Sequence, residues 1–231
     1  MTASANPAPG TRLFTFGCGT LGELGHDRAG HDLPCRPEAF PVSFLEACGE
    51  EVEVSSVALG NDHSLALVKG KVYRWGLQCT STRFKAVDRS LQGSRSETSE
   101  GEADAASGAI NPIPTALECA SETQETMRPL AIAAGGSNSY VLSDIGEVFL
   151  HGQLRSLGSD TCTLRHLWGC PRRSLELQVL RIAAGWRHVL LLTKAGSVFA
   201  IGEDDHGQCA GCGTGQVAIA EASRGAIGVA A

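Results

Sequence analysis

The amino-acid sequence predicts an all-β fold built from repeated units. The chain has 231 residues and contains 28 glycines, but only two tyrosines and two methionines. Such a composition is typical of many turns and short strands and is unlike that of a helical bundle. Three segments also share one order of apolar runs and glycines, which is the usual sign of a repeat architecture. Length and repetition together predict a substantial core shared between neighbouring units.

The three repeated segments cover residues 54–76, 130–152 and 180–202. Each begins with an apolar strand that ends near a glycine and continues with a second apolar strand. It then turns at another glycine and finishes with a third strand closed by glycine. The glycines that mark the first turn and the end of each segment are Gly60 and Gly76, Gly135 and Gly152, and Gly185 and Gly202. Their near-constant separation predicts three strands and two turns per unit.

The turns and strands of these segments have a physical rationale. Lys69–Gly70, Asp144–Gly146 and Lys194–Gly196 place a glycine where a tight hairpin needs a positive φ. The second strands, such as Ser64–Leu67 and Val189–Leu192, are too apolar to keep one face in water. We therefore expect both faces to be covered by stacked neighbouring sheets, as in a β-propeller.

A partial unit precedes the first complete segment. Residues 13–25 contain an apolar strand followed by the tetrad Gly22–Gly25, and Gly207-Gln208 follow the last segment in the same way. Together with Gly185–His188 and Gly202, this order resembles the regulator of chromosome condensation repeat. The resemblance implies blades of a closed seven-bladed ring, whereas this chain has room for about four. We therefore expect an incomplete β-propeller that is a fragment, dimerises to cover its open edges, or is completed by a partner.

The predicted partial propeller occupies residues 12–213, with repeats near 12–53, 54–87, 113–170 and 179–213. Residues 1–11 and 214–231 lack periodic patterns, so they are predicted to be a flexible tail and a weakly ordered tail. Residues 88–112 are polar and low in complexity, which predicts a mobile insertion between blades. Its serines and glutamates leave a phosphorylation-sensitive tether as the alternative to a plain solvated loop.

Charge, cysteine content and hydropathy exclude several classes of protein. The net charge of −6 and the pI near 5.6 disfavour direct nucleic-acid binding by the whole chain. Nine cysteines is an odd number, and residues 1–10 have no signal-peptide pattern, which favours a reduced cytoplasmic or nuclear setting. No apolar run reaches the ~18 residues of a membrane-spanning helix, so no membrane partner is expected.

No motif in the sequence predicts catalysis, a cofactor or a metal ion. Cys209–Cys212 has the C-x-x-C spacing of zinc and redox motifs, but no second pair accompanies it. Gly17–Gly22 matches G-x-G-x-x-G without the helix and the downstream acid of a dinucleotide site. His63 and His188 each follow a glycine by three positions, a place set by the repeat. We therefore predict that these histidines, like the repeat glycines, are structural rather than catalytic.

The segment from residue 155 to residue 194 is locally basic. The simpler interpretation of its charges is a set of solvated loop ends, and the functional one is a docking patch for an acidic protein partner. The sequence offers one Gly-Trp-Arg-His tetrapeptide at the end of this segment. We predict four candidate partner-binding residues: Arg172, Arg173, Trp186 and Arg187.

The resemblance implies a binding surface rather than an enzyme with chemistry of its own. It further implies guanine-nucleotide exchange on, or regulation of, a small GTPase. Residues for exchange cannot be assigned, because in the family they lie on variable loops rather than in the repeat motif. The alternative is a degenerate or truncated propeller that acts as a structural scaffold without exchange activity.

Overall fold

The computed structural model describes residues 13–26, 35–42, 53–77, 110–117, 128–152, 161–168, 175–209, 218–223 and 229. Within these residues the chain forms one two-stranded and three four-stranded antiparallel sheets. The helical content of the same residues is the single 3-10 turn Leu175–Leu177. The prediction of an all-β fold is confirmed. No helix in the described part of the chain has the length and hydropathy of a membrane span.

Each sheet is a meander of consecutive strands, and we call the four sheets blades 1 to 4. Blade 1 contains β1 (Phe14–Cys18) and β2 (Cys35–Pro41). Blade 2 contains β3 (Val54–Leu59), β4 (His63–Val68), β5 (Lys71–Leu77) and β6 (Ile110–Ala116). Blade 3 contains β7 (Pro129–Gly135), β8 (Asn138–Ser143), β9 (Val148–Gly152) and β10 (Thr161–Trp168). Blade 4 contains β11 (Val179–Ala184), β12 (His188–Thr193), β13 (Val198–Gly202) and β14 (Ala218–Ser223).

The hydrophobic core lies between successive blades. Strand β7 packs on β3 and β4 of blade 2, and β11 packs in turn on β7 and β8 of blade 3. The buried side chains between blades 2 and 3 are Leu65, Leu67, Val72, Ile132, Val141, Phe149 and Leu164. Those between blades 3 and 4 include Tyr140, Leu142, Leu150, Val189 and Leu191. Sheets stacked in this way, each by its first strand, form a propeller, and the open succession of blades fits the predicted incomplete ring.

The second strands of blades 2 and 3 are completely buried. All six residues of β4 and all six of β8 are buried. Both faces of these strands are covered, which explains why their central residues are apolar and why a polar residue such as Ser139 is hydrogen-bonded. The hairpin after β4 is closed by Lys69 and Gly70, whose φ angles of 46° and 73° are those of a type I′ turn. The predicted turn therefore forms with the handedness that matches the twist of the two strands.

Each four-stranded blade has an outermost strand that the sequence analysis did not predict. In blade 2 this strand is β6, which begins at Ile110. The last three residues of the predicted insertion 88–112 therefore belong to a strand. Strand β6 pairs with β5, and it therefore completes blade 2 rather than opening the unit predicted at 113–170. An outermost strand pairs on one side only, so it tolerates prolines such as Pro112 and Pro114. These prolines and the lack of apolar alternation concealed the strand.

The second difference lies at the other end of the chain. Strand β14 falls inside the range 214–231, which the sequence analysis predicted to be weakly ordered, and it pairs with β13 over residues 218–223. Its sequence is rich in alanine, a residue with low strand propensity, so pairing with β13 rather than local preference accounts for the strand. The predicted tail 1–11 and residues 88–109 of the insertion lie outside the described residues, and those predictions stay predictions.

Candidate functional site

The repeat glycines and histidines gather at one end of the blades, which we call the loop end. It is formed by the turns between the first and second strands of blades 2, 3 and 4, at residues 60–62, 136–137 and 185–187. The backbone N–H of Asn61 donates to the carbonyl oxygen of Gly136 over 3.0 Å. A Cβ on Gly135 would overlap the carbonyl oxygen of Gly185, and one on Gly136 would overlap that of Trp186. The three turns therefore stack through their backbones, with no room for side chains between them.

Each repeat histidine packs on the glycine three positions before it. A Cβ on Gly60 would overlap the ring of His63, and a Cβ on Gly185 would overlap the ring of His188. The imidazole ring thus packs directly against the first glycine of the repeat. This contact gives a physical reason for the Gly-x-x-His spacing found in the sequence.

The glycine that closes each third strand abuts the first residue of the second strand. A Cβ on Gly76 would lie 2.7 Å from the Cα of His63, and one on Gly152 or Gly202 would overlap Asn138 or His188. The φ angle of Gly76 is 105°, a conformation that side chains rarely adopt. Both space and backbone conformation therefore require glycine at this position.

A chain of polar side chains crosses from blade 2 to blade 3 beside His63. The carboxylate of Asp62 accepts hydrogen bonds from Nδ1 of His63 at 3.1 Å and from the hydroxyl of Ser137 at 2.6 Å. Because Nδ1 then carries the proton, Nε2 accepts the hydroxyl of Ser139 at 2.9 Å. The Ser139 oxygen accepts in turn from Nε of Arg74 at 3.4 Å. Each of these donors has an acceptor, so the chain fastens the two blades together.

The order Ser139, His63 and Asp62 is that of a hydrolytic triad. Sequence analysis could not detect it, because 76 positions separate the serine from the histidine. The nucleophile of such a triad must reach a substrate carbonyl. Ser139 is 0% exposed and His63 is 1% exposed, so no substrate can approach. We interpret the three residues as part of the fastening between blades, which agrees with the structural role expected for His63.

Burial controls the protonation of this polar chain. It lowers the pKa of His63 below its ordinary value, and the hydrogen bond to Asp62 opposes that shift without outweighing it. Burial alone would raise the pKa of Asp62, but hydrogen bonds from His63 and Ser137 outweigh it and the pKa is lowered. A neutral imidazole therefore faces an ionised carboxylate near neutral pH. That state leaves Nε2 able to accept the hydroxyl of Ser139.

Two of the four candidate partner-binding residues lie outside the described residues: Arg172 and Arg173. The other two lie at the loop end, on the turn before β12. Trp186 is 58% exposed. Nη1 of Arg187 donates to Oε2 of Glu203 at 2.9 Å, and the two side chains are 42% and 6% exposed. A buried carboxylate therefore positions a partly exposed guanidinium next to an exposed indole.

The C-x-x-C cysteines show no sign of a reactive site where they are described. The backbone N–H of Cys209 donates to the carboxylate of Asp204 at 2.7 Å, and its thiol donates to the carbonyl of Glu203 at 3.4 Å. Burial raises the pKa of Cys209 to about 11, the opposite of an activated thiol. Cys212 lies outside the described residues. Among those described, no three His, Cys, Asp or Glu residues could hold a metal ion.

The glycine-rich loop after β1 packs against blade 2. The carbonyl oxygen of Glu23 accepts hydrogen bonds from the indole Nε1 of Trp75 and from the hydroxyl of Ser64, both at 2.7 Å. A Cβ on Gly25 would lie 2.9 Å from the same indole nitrogen. The segment that matches G-x-G-x-x-G leads directly into these contacts. Gly17 and Gly22 have positive φ angles of 109° and 79°, which account for glycine at both positions without a nucleotide.

Comparison with known repeats follows the same units. The family described as Regulator of chromosome condensation (RCC1) repeat matches residues 12–67, and a second family of that description matches residues 179–208. These two stretches of the chain are regulator of chromosome condensation repeats. The first match runs from blade 1 into β4, and the second runs from β11 to the turn at Gly207. The candidate residues Trp186 and Arg187 lie inside the second matched stretch.

Curated relatives from the regulator of chromosome condensation family are similar over most of this chain. Identity is 30% over 199 residues with the regulator of chromosome condensation of Drosophila melanogaster and 26% over 200 residues with that of Homo sapiens. It is 26% over 212 residues with the guanine nucleotide exchange factor SRM1 of Saccharomyces cerevisiae. Each match covers 85% of this chain but only 30%, 40% and 42% of the relative. The chain spans less than half the length of these relatives.

Solved structures show the same propeller. The crystal structure of human WBSCR16 has a TM-score of 0.61 at 19% identity, and covers 89% of this chain and 46% of its own. Yeast Prp20 bound to Kap60 has a TM-score of 0.61 at 18% identity, with 91% and 44% covered. Prp20p from Saccharomyces cerevisiae, described with its binding to Gsp1p and histones, has a TM-score of 0.60 at 21% identity, with 90% and 44% covered. At these identities the likeness is one of fold.

Sequence reasoning missed several residues that shape the loop end. Glu203 follows Gly202 directly, so its place beside a repeat glycine was an available signal. Arg74 and Ser139 offered no such signal, because 65 positions separate them and stacking of two blades brings them together. A long-range contact of this kind has no pattern in a single sequence.

Proposed function

We propose that this chain is a protein-binding propeller segment that docks a small GTPase at the loop end and promotes release of its guanine nucleotide. The observation that carries the proposal is Trp186, an indole 58% exposed on a turn whose backbone packs against Gly135 and Gly136 of blade 3. Tryptophan and arginine are the residues that most often dominate binding energy at protein interfaces. A rigid support increases that contribution, since little conformational entropy is lost on binding.

Arg187 gives the docking surface its electrostatic preference. Its guanidinium is already oriented by Glu203, so less side-chain freedom is lost when its outward N–H groups bind a carboxylate. An acidic surface on the partner is therefore favoured. We propose that Arg172 and Arg173, which precede β11 in the same basic segment, attract an acidic partner at long range and are not part of the loop-end contact.

Nucleotide exchange requires no bond chemistry from the propeller. The propeller must bind the nucleotide-free GTPase more tightly than the nucleotide-bound form. Moving a population from mostly bound to mostly free takes a difference in affinity of about 10⁴-fold. A surface of stacked backbone turns suits this task because it is rigid. A rigid surface cannot change shape to fit the nucleotide-free and the nucleotide-bound GTPase equally well.

The names of similar proteins support this choice of partner. SRM1 of Saccharomyces cerevisiae is named a guanine nucleotide exchange factor, and Prp20p is described with its binding to Gsp1p. Those proteins are more than twice as long as the part that this chain matches. Exchange activity is therefore our proposal for this chain, and it needs its own test.

Release of fluorescent GDP from a panel of small GTPases tests the proposal. We expect the chain to accelerate release from at least one of them, and Trp186→Ala to lower that acceleration about tenfold or more. Leu175→Ala is the matched control, since Leu175 is 64% exposed and precedes the first strand of blade 4 at the end opposite the loop end. An equal loss in both variants would contradict docking at the loop end.

The second candidate function is a scaffold without exchange activity. It is favoured by blade 1, which has two strands among the described residues, where the other blades have four. A GTPase that binds the chain while its GDP release stays unchanged would support the scaffold and contradict exchange. The two functions therefore differ in one measured rate on the same complex.

The exposed face of blade 1 supports association of the chain with a second copy of itself. Phe14 and Phe16 are 47% and 69% exposed there. Phe16 directly precedes Gly17, just as Trp75 directly precedes Gly76, so the two aromatic residues hold equivalent positions. Trp75 is only 2% exposed, because blade 1 covers it. We propose that a second copy of the chain covers Phe16 in the same way. Light scattering that gives the mass of a monomer at high concentration would contradict this homodimer.

A further inference from the structure

Strands β1 and β2 bring two cysteines into register at one end of blade 1. Cys18 is the last residue of β1 and Cys35 is the first residue of β2. The two are direct partners in the antiparallel ladder. In the sequence they bracket residues 19–34. Spacing in the sequence does not single out this pair among nine cysteines, so the pairing is information from the fold.

The backbone geometry of such a pair suits a disulfide. Residues directly opposite in an antiparallel ladder have Cα atoms about 4.5 Å or 5.5 Å apart, according to their hydrogen-bonding class. Disulfides join residues whose Cα atoms are about 4.4 to 6.8 Å apart, so either class qualifies. The pair stands at the strand ends, and a register shift between Thr15 and Gly17 lies close by.

The accessible position of Cys18 allows an oxidant to reach it. Cys18 is exposed, and its sulfur lies 3.6 Å from the hydroxyl oxygen of Thr20. By contrast, Cys209 is buried and its pKa is raised to about 11. Exposure and thiolate character decide which cysteines react with small disulfides. Cys18 is thus the better placed of these two thiols to react first.

We propose that Cys18 and Cys35 form a reversible disulfide, with a small disulfide such as oxidised glutathione as the oxidant. The Cys18 thiolate attacks one glutathione sulfur, which forms a mixed disulfide and expels one glutathione thiolate. The Cys35 thiolate then attacks the Cys18 sulfur, forms the protein disulfide and expels the second glutathione. The two protons lost by the cysteines pass to the two glutathione thiolates. Two protein thiols are oxidised and one glutathione disulfide is reduced.

The bond links the two positions that flank Glu23 in the sequence. The carbonyl oxygen of Glu23 accepts the hydrogen bonds from Trp75 and Ser64 that join blades 1 and 2. Holding Cys18 against Cys35 restricts the unfolded chain and keeps Glu23 near its donors. In a reducing compartment such a disulfide forms transiently and reports oxidation. Oxidation therefore strengthens the contact between the two blades, and reduction weakens it.

Peptide mapping of the full chain tests the proposal. The folded protein is treated with oxidised glutathione, remaining thiols are alkylated, and the chain is cut with trypsin and a glutamate-specific protease. Residues 13–23 and 29–38 are then separate peptides with one cysteine each. We expect these two peptides to be joined, with a mass two hydrogens below their sum, and to separate on reduction. Any other cysteine pair should form at least tenfold more slowly.

Variants and a thermal measurement complete the test. Cys18→Ser and Cys35→Ser should each abolish the joined peptide, while Cys48→Ser, at the next cysteine along the chain, should retain it. Oxidation should raise the unfolding midpoint by about 5 °C in the unchanged chain and leave the Cys18→Ser variant unaltered. Joining of Cys18 or Cys35 to another cysteine would overturn the proposal, as would glutathione adducts that persist without the bond. An unchanged midpoint would overturn its effect on the blade contact.

Discussion

The indole Nε1 of Trp75 donates a 2.7 Å hydrogen bond to the carbonyl oxygen of Glu23, which belongs to the preceding blade. This bond joins a third strand to the glycine-rich loop of its neighbour. Trp75 is 2% exposed, so the bond is sheltered from water. The bond connects the third strand of one repeat to the glycine-rich loop of the preceding one. The roles of this tryptophan and of this loop are therefore seen only when two blades are considered together.

Replacement of Trp75 by phenylalanine should destabilise the contact between blades 1 and 2. The variant loses the hydrogen bond to Glu23 and part of the buried ring, which together cost about 2 kcal/mol of unfolding free energy. Urea unfolding followed by circular dichroism measures the change. Trp186→Phe is the control, since Trp186 is exposed and should change stability by less than about 0.5 kcal/mol. Equal effects at both positions would contradict a special role for the Trp75 bond.

Stability should fall as the pH drops below about 6.5 because of His63. Burial lowers its pKa in the folded chain, so below the ordinary value the unfolded state binds more protons than the folded state. The contribution of neutral, buried His63 to the unfolding free energy is complete above pH ~6.5. It declines toward acid pH, by at most about 1.4 kcal/mol per pH unit for one proton. Urea unfolding at pH 7.5 and pH 5.5 measures this slope. The lowered pKa of Asp62 acts only at more acidic pH.

His63→Asn is the variant that isolates this effect. Asn138 occupies the equivalent position in blade 3, so asparagine is compatible with the repeat. We expect the variant to lose part of the slope between pH 7.5 and pH 5.5 and to keep the rest, because burial also lowers the pKa of His188. A slope identical to that of the unchanged chain would show that His63 does not titrate as stated.

Gly76→Ala and Gly70→Ala form a pair that separates steric overlap from backbone strain. Both glycines have positive φ, 105° and 73°, but a Cβ on Gly70 meets no atom within 4 Å. A Cβ on Gly76 would lie 2.5 Å from the carbonyl oxygen of Asp62 and 2.7 Å from the Cα of His63. We expect a loss of about 1 kcal/mol for Gly70→Ala and about 3 kcal/mol or more for Gly76→Ala, measured by urea unfolding. Equal losses would refute the overlap.

A double-mutant cycle on Arg187 and Glu203 should distinguish positioning from binding. Arg187→Ala removes the partner of a carboxylate that is 6% exposed, while Glu203→Gln removes the charge that orients the guanidinium. Because Arg187 is partly exposed, we expect a coupling of about 1 kcal/mol in unfolding free energy. In GTPase binding, Arg187→Ala should weaken affinity at low salt more than at high salt. Absence of any coupling would contradict the ion pair.

The sequence by itself determined the repeat, its first three strands and the fold class. Gly60, Gly76 and their counterparts could be found because close backbone approach leaves glycine as the one residue that fits, and His63 and His188 recur at a fixed spacing from them. The second strands could be found because burial on both faces forces every residue to be apolar or satisfied. These constraints act within one unit, so they leave a pattern in a short stretch of chain.

Only the tertiary structure decided how the units meet. The outermost strands β6 and β14 form because a neighbouring strand supplies hydrogen bonds, and such an edge imposes little on the sequence. Ser139 reaches His63, and Cys35 comes into register with Cys18, through pairing and stacking that bring distant residues together. Trp186 was visible as a candidate, but its exposure and its place beside the Arg187–Glu203 pair depend on the packing of whole blades. Steric and burial constraints within one repeat leave a pattern in the sequence, whereas contacts between repeats depend on the geometry of the whole chain.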